Sequence, residues 1–304
     1  MTGSLEPPTS TSLRTVIDQG LYLSRLSRAR NLIGNGADYL LAAAEQDLAE
    51  RLMSHTKSFR SVLEFSGYGP RVSAAVTSSC SGAEICALER LPQQHQSGQS
   101  GFQVRYWTGN TLPVDPGQFD LATGLFALQW AAQPDQLLLQ LHHALAPDGL
   151  LIGCVCGGDT LQEMRAVVQQ AEVEIAGGLA PRFLPMPSVQ DVGAMLSRAG
   201  FVMPVVDTER FPVRYRSFAK LVADLRAMAA TNCLALRPGQ SLNRQIKRRA
   251  EQLYAEKYGG EEGGLKLTFE VIWFAGWKPD PSQPKAKQPG SATVRLADVL
   301  GDKS

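Results

Sequence analysis

The sequence lacks any apolar run close to the ~20 residues that a membrane-crossing helix requires. Its first residues, MTGSLEPPTSTS, contain neither an apolar core nor a cluster of arginines, so they read as neither a secretory signal nor a mitochondrial transit peptide. An excess of one charge is missing too. Thirty Lys and Arg against 29 Asp and Glu leave +1, and no global field draws the chain to nucleic acid. Charged residues make up only 19%, a hint of covered surface. The five cysteines (80, 86, 154, 156, 233) and four histidines (55, 95, 142, 143) lack metal-ligand spacing. That argues against a structural metal, and free thiols fit a reducing compartment, with a bacterial cytoplasmic protein the simplest expectation. No Ser-His-Asp, Cys-His or paired-carboxylate arrangement stands out.

What is present is a strong α/β pattern over 118–153, QFDLATGLFALQWAAQPDQLLLQLHHALAPDGLLIG. FDLATGLFAL is almost wholly apolar and bounded by turn residues, as a strand buried on both faces must be. Leu137, Leu138, Leu141 and Leu145 fall at helical spacing behind Pro134 and Asp135. Pro147-Asp148-Gly149 then ends the helix and passes the chain to LLIGCV. Strand, crossover helix and strand in that order form a parallel unit.

The surrounding chain divides by composition. Residues 1–15 read as a flexible leader, 16–58 as a helical segment, 59–215 as an α/β core and 216–265 as a helical cap. The last core strand follows over 266–277, and 278–304 form a Pro/Lys/Gln-rich tail. Ser61–Phe65, Val72–Thr77 and Phe102–Trp107 read as the first three strands, separated in the last case by the polar PQQHQSGQSG. Thr160-x-x-Glu163 has the form of a capping box at the start of a helix, and Gly200 closes another over 188–199. Arg25, Arg28 and Arg30 read as a solvated basic face, as do Arg244, Lys247, Arg248 and Arg249, the latter with an acidic partner or an anionic membrane surface as the alternative.

FD with an apolar strand, then LQW, then ALAPDGLLIG resembles the second half of the core of class I S-adenosylmethionine-dependent methyltransferases. GGDTLQEMR (157–165), RAGF (198–201), PVVD (204–207), DLRAM with TN (224–232) and GW with PGSA (276–292) resemble a narrower branch. That branch holds the mitochondrial complex I assembly factor that hydroxylates an arginine, with its bacterial relatives. The malonyl carrier-protein methyltransferase of biotin synthesis is more distantly similar. The resemblance implies a doubly wound, mostly parallel seven-stranded Rossmann-like sheet with a helical N-terminal segment and a helical cap. It also implies S-adenosylmethionine as cofactor and a respiratory NADH dehydrogenase subunit as protein partner, with no nucleic acid and at most peripheral membrane contact.

The resemblance places the cofactor on an acid-glycine turn, E/D-x-G-x-G-x-G, whose bare backbone approaches the methionine moiety. Here the turn is Glu64-Phe65-Ser66-Gly67-Tyr68-Gly69-Pro70. Ser66, Tyr68 and Pro70 stand at the glycine positions, while Gly67 and Gly69 are one step out of register. With Val72–Thr77 as second strand, the expected ribose-binding acid is missing from Ser78–Ala83. Asn110, in Thr108-Gly109-Asn110, replaces the acid expected near the adenine. Two lost charge-assisted hydrogen bonds at ~2 kcal/mol each would weaken binding nearly a thousandfold.

The candidate cofactor residues are therefore Glu64, Ser66, Gly67, Gly69 and Asn110, in a degenerate loop. Gln129 and Trp130, after the fourth strand, stand where the family commonly shows His-Trp near the transferred methyl, and Asp159 and Arg165 complete the candidate substrate pocket. Gln19 stands where the family has arginine after Asp18. Three readings stay open. The chain is a methyltransferase modifying a protein side chain, a non-catalytic binding protein that kept the fold, or a carrier-protein or small-molecule methyltransferase.

Overall fold

The computed structural model describes residues 16–30, 38–68, 70–92, 102–239, 241–259 and 264–284. The leader, Gly69, most of the polar 92–101 segment and the PGSA motif lie outside the described residues.

Two helices, α1 (Gln19–Arg30) and α2 (Tyr39–Met53), precede β1 (Ser61–Glu64). Asp18 opens α1 by accepting the Leu21 N–H at 2.9 Å. Then come α3 (Pro70–Ser79), β2 (Glu84–Glu89), β3 (Phe102–Tyr106), β4 (Phe119–Leu125), α4 (Pro134–Ala144) and β5 (Leu145–Cys156). The chain continues through α5 (Gln162–Ala176), α6 (Val189–Arg198), β6 (Val202–Tyr215), α7 (Phe218–Ala227), α8 (Arg244–Tyr258) and β7 (Leu265–Trp277).

Val72–Thr77 is not a strand but the body of α3. The reason is topological. β1 and β2 pair in parallel, and parallel neighbours need a crossover, which a few loop residues cannot make. β2 is instead the run EICALE.

The seven strands run in the order β3-β2-β1-β4-β5-β7-β6, with β7 antiparallel to both its neighbours. The 118–153 unit forms as its pattern indicates, β4 and β5 pairing in parallel across α4. The register slips between Phe119 and Leu121, where Pro147-Asp148-Gly149 makes the turn inside β5. FVMPVV and RFPVRY join into one long strand, β6.

One face of the sheet packs against α2, α3, α5 and α8, through residues such as Leu48, Val76, Val167 and Leu253. The other packs against α4 and α6, through Leu138, Leu141 and Leu196. Helices on both faces make the sheet doubly wound. A third, smaller core seats α1 over the carboxyl ends of the strands, with Tyr22, Leu26, Trp130 and Cys233 buried together. Ile17 bridges Leu234, and Asp18 N–H donates to the Cys233 carbonyl at 2.8 Å. The segment before the sheet and the segment after α7 thus form one roof.

Among the described residues, no helix is long and apolar enough to cross a membrane and no group of His, Cys, Asp and Glu could hold a metal.

The middle of the sheet tolerates no extra atoms at two glycines. A Cβ on Gly153 would lie 2.5 Å from the Gly124 carbonyl oxygen and 2.9 Å from the Phe274 ring. Gly153→Val is expected to cost about 3 kcal/mol or more, whereas Gly178→Ala, with nothing within 4 Å, stays within ~0.5 kcal/mol. Urea denaturation of the two variants checks the contrast.

Candidate functional site

β1 delivers Glu64 to the carboxyl edge of the sheet, fully buried. Its Oε1 accepts the Ser66 N–H at 2.6 Å. The Ser66 hydroxyl oxygen accepts the Leu125 N–H at 2.8 Å, from the end of β4. Oε2 of Glu64 has no partner among the described residues. Burial outweighs the Ser66 bond and pushes the Glu64 pKa up to about 8. Ser66 therefore turns into the core, and the space expected to suffer from its side chain does not hold it.

Gly67 follows in the left-handed region, at φ +74°. Tyr68 then places its ring among Leu26, Leu40, Phe126 and Trp130, where only about 50 Å³ is open. The Trp130 side chain stands beside its phenol. Gly69 lies outside the described residues.

The acid expected to be missing from the end of the second strand does stand there. β2 ends in Glu89, a carboxylate only 3% exposed, and Arg30 of α1 forms an ion pair with it. Arg30 also donates to the Gly67 carbonyl at 3.1 Å. Neither Arg30 nor Arg25, which donates to the Asn232 carbonyl and to Cys233 Sγ, belongs to a solvated face. Reading α3 as a strand moved the expected acid position six to eleven residues too early, from Glu89 to Ser78–Ala83. The signal was available in the parallel-crossover rule.

Arg90, the next residue, is buried as well. Its guanidinium donates to Gln19 Oε1 at 2.7 Å and stands 4.8 Å over the Trp107 ring and 5.7 Å over Tyr22. It rests on the bare backbone of two glycines. A Cβ on Gly109, at φ +99°, would come 2.6 Å from its Nη2, and one on Gly67 would come 3.1 Å from its Cγ. Asn110 is exposed, and its carbonyl accepts from Gln140 Nε2 at 2.8 Å. Glu64, Ser66 and Gly67 are thus brought to one edge with Glu89, while Asn110 sits on the rim.

Gln129 and Trp130 lie on a single 3₁₀ turn (Leu128–Trp130) after β4. The Gln129 Oε1 accepts the Cys156 N–H at 2.7 Å, fixing the end of β5. Trp130 stacks on Tyr22, centroids 5.0 Å apart and planes 13° from parallel. Both residues line a cavity of about 290 Å³ with Cys156, Thr160, Phe183, Leu184 and Met228. Burial lifts the Cys156 thiol to about 11, so it is not a thiolate nucleophile at neutral pH.

Asp159 and Arg165 lie outside that wall. Asp159 pairs with Arg210 at 2.5 Å, and Arg165 donates to the Gly158 carbonyl. Thr160 and Glu163 do not form a capping box either, since Leu161 holds the cap position at φ +53°. Thr160 Oγ1 donates to the Glu270 carbonyl and accepts the Glu270 N–H, at 3.0 and 3.1 Å. Glu163 accepts from Thr268, so both residues tie α5 to β7. The pairing partner across the sheet is invisible in a local i, i+3 pattern.

No family model matches the chain. The chain is 38% identical over 188 residues to the mitochondrial arginine-hydroxylase NDUFAF5 of Danio rerio, covering 62% of this chain and 58% of that protein. The Homo sapiens protein of the same name is 37% identical, with 62% and 54% covered. The malonyl-[acyl-carrier protein] O-methyltransferase of Laribacter hongkongensis is 36% identical, with 58% and 56% covered. The chain spans just over half the length of these relatives. Among solved structures, a Bacillus halodurans protein described as a methyltransferase superposes with a TM-score of 0.51 at 12% identity, covering 77% of this chain and 99% of that one. The YcgJ protein of Bacillus subtilis gives 0.51 at 11%, with 79% and 99% covered. These two establish the fold.

The Glu64 carboxyl has a consequence for stability. Below pH 4.5, its ordinary value, folded and unfolded chains both hold the proton. Between 4.5 and about 8 the unfolded chain loses it while the folded chain keeps it, so this group's contribution falls as pH rises. Glu64→Gln is expected to remove that part of the decline, on the order of a few kcal/mol across the window. Denaturant midpoints of both proteins measured across the same pH range check it, and parallel curves would contradict it.

Proposed function

Since this chain belongs to the class I S-adenosylmethionine-dependent methyltransferase-like family, we propose that it acts on or escorts a protein subunit, as a respiratory complex I assembly factor does. We further propose that its cofactor loop is degenerate and that its work is recognition rather than methyl transfer. The first part is supported by the NDUFAF5 relatives and by the motifs beyond the core. A bacterial, cytoplasmic setting belongs to the same proposal, in contrast with the mitochondrial label of those relatives.

One observation carries the second part: the edge where this family places S-adenosylmethionine is filled by the chain's own side chains. The cofactor makes two different demands. Its ribose hydroxyls need an acid at the end of β2, and Glu89 suits that role. Yet Glu89 is already neutralised by Arg30, and Arg90 covers Gly67 and Gly109. The methionine end needs backbone free of bulk at the first turn, and there the Tyr68 ring lies packed beside Trp130. These residues suit a nucleoside and do not suit the whole cofactor. Binding would have to break the ion pair between half-buried Arg30 and buried Glu89 and expel an aromatic ring.

A second reading, methyl transfer to a protein side chain, is favoured by Glu89 and by the Gln129 and Trp130 wall beside it. Calorimetric titration separates the two. S-adenosylmethionine is expected to bind the natural chain no tighter than about 1 mM. Tyr68→Gly combined with Arg30→Ala is expected to tighten binding about tenfold or more. Micromolar binding by the unaltered chain would overturn the recognition reading.

A further inference from the structure

A concave surface of one-sided chemistry lies beside this edge. A cavity of about 530 Å³ is walled by Arg25 and Arg28 from α1, Arg182 from the loop after α5, Arg226 from α7, and Arg237 with Asn232 from the segment after α7. Two of these arginines are matched. Arg182 pairs with Glu172 at 2.5 Å and Arg237 with Asp18 at 3.0 Å. Arg25 is spent on the Asn232 carbonyl and Cys233 Sγ, which carry no charge. Arg28 reaches only the Ser24 hydroxyl, at 3.1 Å, and no carboxylate among the described residues pairs with Arg226. Five arginines against two carboxylates leave three positive charges in one concave site.

Such a site focuses a positive potential. Guanidinium forks suit carboxylates or phosphates, which they can hold by two parallel hydrogen bonds. The interior beyond is of another character. Arg182, Val222, Thr231 and Asn232 wall both this cavity and the inner one, whose other walls include Phe183, Leu184, Met186 and Leu225 and which ends at Trp130. Leu236, 69% exposed, adjoins Arg237, and Leu179, 63% exposed, lies three residues before Arg182. Positive mouth and apolar interior together fit an extended occupant in which anionic and apolar groups alternate. A lone phosphate would use the arginines and leave the interior empty.

We propose that this arginine-lined mouth docks an acidic peptide segment of a protein partner, with carboxylates on Arg28 and Arg226 and an apolar side chain entering the inner cavity. The inference rests on the reading above that the partner is a protein chain, and it names the kind of segment recognised. It also separates this chain from what its relatives' name indicates. A segment presenting arginine would meet like charge at the mouth, which costs affinity rather than supplying it.

The test uses the full chain and a fluorescein-labelled peptide of alternating Asp and Leu, read by anisotropy, with a second peptide carrying Lys for each Asp. The acidic peptide is expected to bind about tenfold or more tightly than the basic one, and to weaken as salt is added. The Arg28→Glu, Arg226→Glu double variant changes two exposed side chains and is expected to lose that preference with an unchanged melting temperature. Arg198→Glu, on α6 where Arg198 pairs with Asp135, should bind as the natural chain does. Equal binding of the two peptides, or no effect of the double variant, overturns the proposal. So does binding of inorganic pyrophosphate without binding of the acidic peptide, which would make this a small-anion site. Micromolar S-adenosylmethionine binding would sink the recognition reading and leave the docking result intact. Failure of the acidic peptide alongside weak cofactor binding would remove only the docking site.

Discussion

Ser66 joins the end of β1 to the end of β4, its hydroxyl accepting the Leu125 N–H while its own N–H donates to the Glu64 carboxyl. This small clamp decides how the chain leaves the first strand. With Ser66 drawn inward, Gly67 takes the left-handed turn and Tyr68 emerges over Trp130 instead of leaving a bare turn above the sheet. A glycine at 66 would leave β4 without an acceptor for a buried N–H. The serine that interrupts the glycine pattern is therefore a structural part of this variant of the turn.

Around that clamp, charge is handled locally. Arg30 answers Glu89, and Arg90 lies on glycine backbone between aromatic faces while bonding to Gln19. Gln19 in turn donates to the Trp130 carbonyl at 3.0 Å. α1 thus works as a lid whose polar side is committed to the sheet edge and whose outer arginines face the cleft. One helix covers the carboxyl edge of the sheet and turns an electropositive surface to the cleft next to it. Burial makes both possible, because a pair such as Arg30 with buried Glu89 is costly to break once formed.

Much of the fold was legible. The 118–153 run specified β4, α4 and β5 through its apolar strands, leucine spacing and Pro-Asp-Gly break, all local signals. α1 and α2 fall in the segment read as helical before the sheet, and α7 and α8 in the segment read as a helical cap. α3 was misread because Val72–Thr77 is rich in β-branched residues, and local propensity yields to tertiary connection. That error carried over to the site, since placing β2 too early hid Glu89. Asp159 and Arg165 sit close to the cavity in sequence, but their partners, Arg210 and the Gly158 carbonyl, hold them outside its wall.

The residues by themselves determined the alternation of strands and helices, the parallel core and the acid-glycine turn with its substitutions, because those depend on neighbours a few positions apart. Tertiary structure alone decided that Ser66 turns inward, that Arg30 neutralises Glu89 across 59 residues, and that arginines from four separate segments share one cleft. Such pairings depend on which long-range contacts the packed sheet brings together, and periodicity carries no record of them.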